Sequence, residues 1–403
     1  MKLSKWSQLF LVSIFGLVLA SLLAACQLVN IDIVFVAASA GNTPGSAGQI
    51  YAYATDAESG ALRSGAPTVS SGGTEPVAMA VTLDYNNLYV ANAGNNSVVH
   101  FSVASSGVLT SKDNVTLTST PVSLAVNPSG SYLYAVSGTS SATLTEYSLS
   151  SGAIGSATAT IPLTLPGYPT DIIVPTGVVV LANGNAVYVT AYDKSAYNPL
   201  GTTTSNANPG WLFGFTIGSS GALTPVTASP FQAGVKPSAV ATDPRSRFVF
   251  VTDFASNGLI GYIVTTGNSL DFMLNDPFKT GNEPSALTID PRGTFIYVAN
   301  SLDSTVSAYA ISLPTGTPST VVSATSGAGN TTDTEPQAII VEPSLGRYVY
   351  TANNGGNDLT GFRLNPSSGA LTTAEAVPYP TGVKPTALVA VPHGNHAIEV
   401  VTP

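Results

Sequence analysis

A proline, a short apolar run, a polar turn and an alternating strand recur in that order along this chain. The copies read PVAMAVTLDYNNLYVAN from Pro76, PVSLAVNPSGSYLYAVS from Pro121 and PTDIIVPTGVVVLANGNAVYVTA from Pro169. They continue as PSAVATDPRSRFVFVTD from Pro237, PSALTIDPRGTFIYVAN from Pro284, PQAIIVEPSLGRYVYTAN from Pro336 and PTALVAVPHGNHAIEVV from Pro385. The mean spacing of these seven copies is about 52 residues, the period of propeller blades.

The run after each proline has the apolar, β-rich character of a buried inner strand. Asp290-Pro291-Arg292-Gly293 and its relatives at Asn127, Asp243 and Glu342 suit a type I turn. An alternating second strand follows, such as Phe295 to Val298, and ends on Asn92, Asp253, Asn300 or Asn353. A third strand is visible in SVVHFSV (97–103), GLIGYIV (258–264), TVSAYAI (305–311) and DLTGFRL (358–364). Ser-Gly-Ala-Leu-Thr or a relative opens the fourth at 58–63, 105–110, 219–224 and 367–372. Four antiparallel strands per repeat, with no helical spacing, predict an all-β, seven-bladed propeller. FVAASAG (35–41) matches YVANAG (89–94), so the N-terminal segment supplies a second strand. PTALVAV (385–391) then supplies its first strand, closing one blade from both chain ends, and HAIEVV (396–401) is left without a place.

The N-terminus alters the picture of where this ring works. Lys2 and Lys5 precede an apolar run from Leu9 to Leu23, too short for a comfortable membrane span, and Leu23-Ala24-Ala25-Cys26 closes it. This ending resembles a bacterial lipoprotein signal, which implies a signal peptide over 1–25, lipidation at Cys26, a tether over 26–30 and one propeller domain over 31–403. Cys26 is the one cysteine, so neither a disulfide nor a cysteine metal site is available to the ring. Removing the signal leaves 11 basic against 22 acidic residues, which disfavours nucleic acid as a partner. With 44% hydrophobic and only 9% charged residues the composition is that of a folded exported domain, read here as a monomer.

The Pro…Asp-Pro-x-Gly-x-apolar-x-Tyr-Val-Ala-Asn pattern and the Ser-Gly-Ala-Leu-Thr turns make the chain similar to the seven-bladed lactonase-type propellers. That group includes the 6-phosphogluconolactonase-like and YVTN-repeat proteins, and the likeness spans about residues 30–400. It implies lactone hydrolysis or the reverse addition, with a histidine as general acid or base and cations holding the substrate. The segment PGYPTDIIVPTG (166–177), where such a histidine is expected, has none. His100, His393 and His396 are the three histidines, read as solvated strand and tail residues, and no metal or cofactor is implied.

A ligand would meet the loops before each inner strand. The residues preceding the seven prolines are Glu75, Thr120, Tyr168, Lys236, Glu283, Glu335 and Lys384, a ring of mostly charged side chains around the channel mouth. The second residue after the proline is small in six copies but Asp171 in the third, a candidate catalytic carboxylate in a crowded place. The same copy carries an oversized loop, 191–210, leading to Trp211; Tyr192, Asp193, Lys194 and Tyr197 give it an aromatic and polar surface suited to sugars or a protein partner. Two readings follow: an envelope-anchored binding or interaction scaffold, or a divergent lactonase with Asp171 as base and Lys236 or Lys384 steadying the oxyanion.

Overall fold

Each repeat folds into one blade because its strands can bury both faces against neighbouring blades. In the computed structural model, residues 29–43, 45–197, 208–321 and 330–393 are described. They form seven antiparallel sheets, each built on four strands, with no α-helix. Blade six shows the pattern. Its inner strand is Pro284–Ile289, its second strand Phe295–Asn300, its third Thr305–Ile311 and its outer piece Pro318–Thr320. The second strand is buried at every position, as expected of a strand sandwiched between two other blades.

Seven apolar clusters fill the seven junctions. Between blades five and six, Phe248, Phe250 and Leu259 meet Ile296, Val298 and Tyr309. The inner strands contact one another around a closed ring. The ring closes as expected: Asn30–Ser39 pairs on one side with Ala47–Asp56 and on the other with the C-terminal Val383–Pro392. We number this blade one. Residues 1–28, with the signal and Cys26, lie outside the described residues, as do His396 and the segment 396–401.

The repeated phrases prove architectural. The Asp290 carboxylate accepts the backbone N–H groups of Thr294 and Phe295 at 2.6 and 2.7 Å; Asp243 and Glu342 do the same in their turns. Second-strand tyrosines donate across three junctions to the next blade: Tyr89 to Gly152 O, Tyr297 to Gly369 O and Tyr350 to Gly60 O, at 2.6–2.9 Å. The glycine of Ser-Gly-Ala-Leu has its own reason. It takes positive φ, and a Cβ at Gly221, Gly369 or Gly60 would come within 2.2–2.4 Å of Tyr132, Phe295 or Tyr348 in the preceding blade. In these blades an aromatic side chain at the start of the second strand thus locks under a glycine of its neighbour.

Two expectations need correcting. His100 is not solvated; it is 3% exposed, with Nδ1 on Asp113 Oδ2 and Nε2 on Asn87 Oδ1, both at 2.9 Å. In addition, the third copy was aligned six residues early. Thr190 pairs with Gly177 as Ala299 pairs with Ala286, so Pro175 and Gly177, not Pro169 and Asp171, occupy the repeat positions. Both prolines precede apolar residues, and only the turn that joins Leu181 N–H to Ala186 O fixes which one counts. Small residues do line the axis in every blade, and Asp171 stands above it.

Candidate functional site

The upper face carries the loops that lead into the inner strands. Glu75, Lys236, Glu283 and Glu335 do sit there, each immediately before its inner strand, and Lys384 is the second residue of the strand Val383–Pro392. Glu75, Glu283, Glu335 and Lys384 adopt left-handed backbone (φ 51–54°), a cost offset by the carbonyl of the first three accepting an N–H from beyond the neighbouring strand end. No ion pair among the described residues joins these side chains. Tyr168 leaves the ring; it lies in a loop ahead of blade four and is 64% exposed.

Blade four is taller than every blade except the closing blade one, whose strands Asn30–Ser39 and Val383–Pro392 have ten residues each. The blade-four strands Ile173–Val180 and Ala186–Asp193 have eight residues each, where blades two, three, five, six and seven have six. The extra pair, Ile173 with Asp193 and Val174 with Tyr192, raises a lip of about 7 Å above the mouth. Side chains alternate along it. Asp193 and Ala191, with Trp211 paired opposite Ala191, face blade three, while Tyr192 faces blade five.

The blade-three side of the lip forms a pocket of about 360 Å³, lined by Leu165, Tyr168, Asp171, Asp193, Ala196, Trp211 and Gln232. Asp193 is buried, and its Oδ1 accepts Ser195 N–H at 2.8 Å and Ala196 N–H at 3.2 Å. It also hydrogen-bonds Asp171. Loss of water, the Asp193 charge and this bond all push the Asp171 carboxyl above the usual range. The Trp211 indole N–H is buried and has no acceptor among the described residues. Two carboxyl groups, an amide, the indole N–H and an exposed Tyr168 ring therefore converge in one recess, a donor and acceptor set that binds hydroxyl groups.

The other side of the lip is different. The Lys236 ammonium lies 4.7 Å from the Phe254 ring, 5.5 Å from Tyr197 and 5.7 Å from Tyr192, held by cation–π attraction. Lys194 is exposed, and its backbone N–H closes the lip on Ile172 O. The structure thus gathers Tyr168, Asp171, Asp193 and Trp211, and separates Lys236 from them by the hairpin. Lys384 belongs to blade one, so neither lysine reaches the Asp171 carboxyl. Gln232 had no sequence signal; it enters the pocket because its short outer strand pairs with Trp211. Residues 198–207 of the long loop lie outside the described residues.

Among curated proteins none matches the chain. The periplasmic gluconolactonase of Pseudomonas aeruginosa is similar in structure, with TM-score 0.72 and 17% identity over 90% of this chain and 100% of that one. A candidate 6-phosphogluconolactonase of Bacteroides uniformis gives TM-score 0.71 and 14% identity, again over 90% and 100%. A functionally unknown protein of Desulfotomaculum acetoxidans gives 0.64 and 18%, over 90% and 99%. At these identities the likeness is one of fold. The family described as Lactonase, 7-bladed beta-propeller, matches residues 47–169 and 225–398, leaving out the stretch that holds Asp171, Asp193 and Trp211. The chain belongs to the lactonase family of seven-bladed β-propellers, with a blade-four lip that the family match does not cover.

Proposed function

We propose that this protein is an exported, lipid-anchored binding propeller whose rim pocket takes a small hydroxyl-rich ligand of the sugar class. The observation that carries the reading is the Asp171–Asp193 pair facing the same recess as the unpartnered Trp211 N–H. A vicinal diol can donate to the carboxyl oxygens while accepting from the indole N–H, and Tyr168 offers a ring face for C–H groups. In a chain starting at Cys26, Trp211 is the one tryptophan, so its fluorescence reports on this pocket alone. Titration with monosaccharides and aldonolactones is expected to change that emission. Asp171→Ala is expected to weaken binding about tenfold, or about 1.4 kcal/mol. Emission that ignores every sugar, or an unaltered affinity in the variant, overturns the reading.

A second reading, lactone hydrolysis, is favoured by the family and by the acid pair itself, since a carboxyl beside a carboxylate can serve as general acid and base. Lys236 and Lys384 take no part in it. Turnover of a lactone panel that disappears in Asp171→Asn would establish hydrolysis at the rim; turnover that survives would move the chemistry elsewhere. The anchor has its own test. Cys26→Ser is expected to shift the protein from the membrane to the soluble fraction and to abolish palmitate incorporation, and an unchanged membrane fraction removes the anchor.

A further inference from the structure

On the lower face, where the Asp-Pro turns lie, a residue at the start of each second strand faces the next blade, and blade two is the one that presents a polar side chain there. The lock position at the start of the second strand holds Ile33, Tyr132, Ala186, Phe248, Phe295 and Tyr348 in six blades, and Asn87 in blade two. Turn side chains elsewhere also reach across. Arg292 donates to Gly346 O at 2.6 Å, Arg247 to Leu313 O at 2.9 Å, Tyr132 to Ser220 O at 2.9 Å, and Ser344 to Ile31 O at 3.0 Å. Between blades two and three, Asp84 bonds only Thr82 and Asn86 of its own turn, and Ser129 bonds Asn127 and Ser131 of its own. What remains is a cleft of about 670 Å³ lined by Leu83, Asp84, Asn87, Ser102, Ser129 and Ser131 among others.

The polar replacement is supported from behind. Asn87 Oδ1 meets His100 Nε2, His100 Nδ1 meets Asp113 Oδ2, and Asp113 Oδ1 accepts Ile154 N–H of blade three at 3.0 Å. The imidazole stacks on Tyr89 with centroids 5.1 Å apart. An aromatic lock would have served the junction with fewer parts. A buried relay holding one amide still, at the wall of an open cleft, is instead the construction of a binding site.

We infer that this cleft binds a neutral, hydroxyl-rich ligand of the oligosaccharide class. Its lining has hydroxyls, amides and the Asp84 carboxylate but no lysine or arginine, so it accepts and donates to hydroxyl groups and repels anions. Leu83, 61% exposed, and Pro128 present apolar surface to sugar C–H faces. The assignment does not rest on the rim pocket, which lies on the opposite face.

The test titrates the full chain with maltopentaose, cellopentaose and chitopentaose, and with a pentagalacturonate as the anionic counterpart, by calorimetry and saturation-transfer NMR. At least one neutral oligosaccharide is expected to bind, with pentagalacturonate at least tenfold weaker. Asp84→Arg sets an arginine at the position of Arg292 and is expected to weaken binding at least tenfold; because Asp84 is exposed, the fold should be kept. Asn87→Phe restores the aromatic lock and is expected to remove binding while the blade-two and blade-three signals persist. Measured in an Asp171→Asn background, which disables the rim pocket, binding at the cleft is expected to persist. The inference fails if no neutral oligosaccharide binds, if pentagalacturonate binds as well as the neutral ones, or if Asp84→Arg binds normally. It also fails if Asp171→Asn abolishes binding, which would assign the saccharide to the rim.

Discussion

Replacing Gly60 with alanine is expected to destabilise the ring by about 3 kcal/mol or more. Gly60 sits at φ +70°, and a Cβ there would lie 2.2 Å from Tyr348 Cδ1 and 2.4 Å from Cε1. Neither ring nor backbone can retreat. Tyr348 donates to Ala57 O at 3.0 Å, and Tyr350 donates to the Gly60 carbonyl itself at 2.7 Å. The contact joins blade seven to blade one, where the two chain ends meet and where no disulfide can help. Gly267→Ala is the control: its φ is +75° but nothing lies within 4 Å, so only the backbone term of about 1 kcal/mol remains. Urea unfolding of both variants decides. Equal losses would mean that the aromatic lock contributes nothing beyond backbone conformation.

The second large effect lies at the same seam and has the opposite sign. Asp32 of blade one is fully buried beside Glu342 of blade seven, with Oδ1 accepting the Ser344 hydroxyl at 2.7 Å. Burial first, then the Glu342 charge and hydrogen bond, push its carboxyl up to about 9 from 3.8. The folded ring therefore holds a proton that the unfolded chain releases. Its contribution is complete below the unfolded value and is lost as pH rises through the interval up to about 9. Asp32→Asn keeps a donor toward Glu342 without the proton, and is expected to stabilise the ring by about 2 kcal/mol or more at pH 8. The variant's advantage should shrink toward pH 4. Melting curves at several pH values check this, and parallel curves for variant and wild type would show that Asp32 is ionised in the fold.

Period, turn chemistry and closure were legible because each is a local rule repeated. Asp290-Pro291 and the Ser-Gly-Ala-Leu glycines specify their own geometry, and repetition separates them from chance. The site was legible only in part. Asp171, Asp193 and Trp211 stood out as departures from the repeat, but their meeting depends on the two-residue extension of blade four, and that depends on choosing between Pro169 and Pro175. Strand alternation then puts Lys236 and Asp193 on opposite faces of one hairpin, which linear spacing across a long loop does not reveal. His100 was misjudged because its burial comes from Asn87 and Asp113, each 13 residues away on neighbouring strands.

Combined with the proposed lipid anchor, the closed blade would also set an orientation. Asn30 enters blade one opposite Asp56, on the side of the Gly60 hairpin and the Asp-Pro turns. An anchor at Cys26 leaves four residues of chain, a reach of about 14 Å, between the lipid and that edge. A propeller tethered so briefly would lie with its turn face toward the bilayer. The rim pocket would look outward into the envelope space, and the blade two–three cleft would sit at headgroup height, reachable only by molecules approaching along the membrane plane.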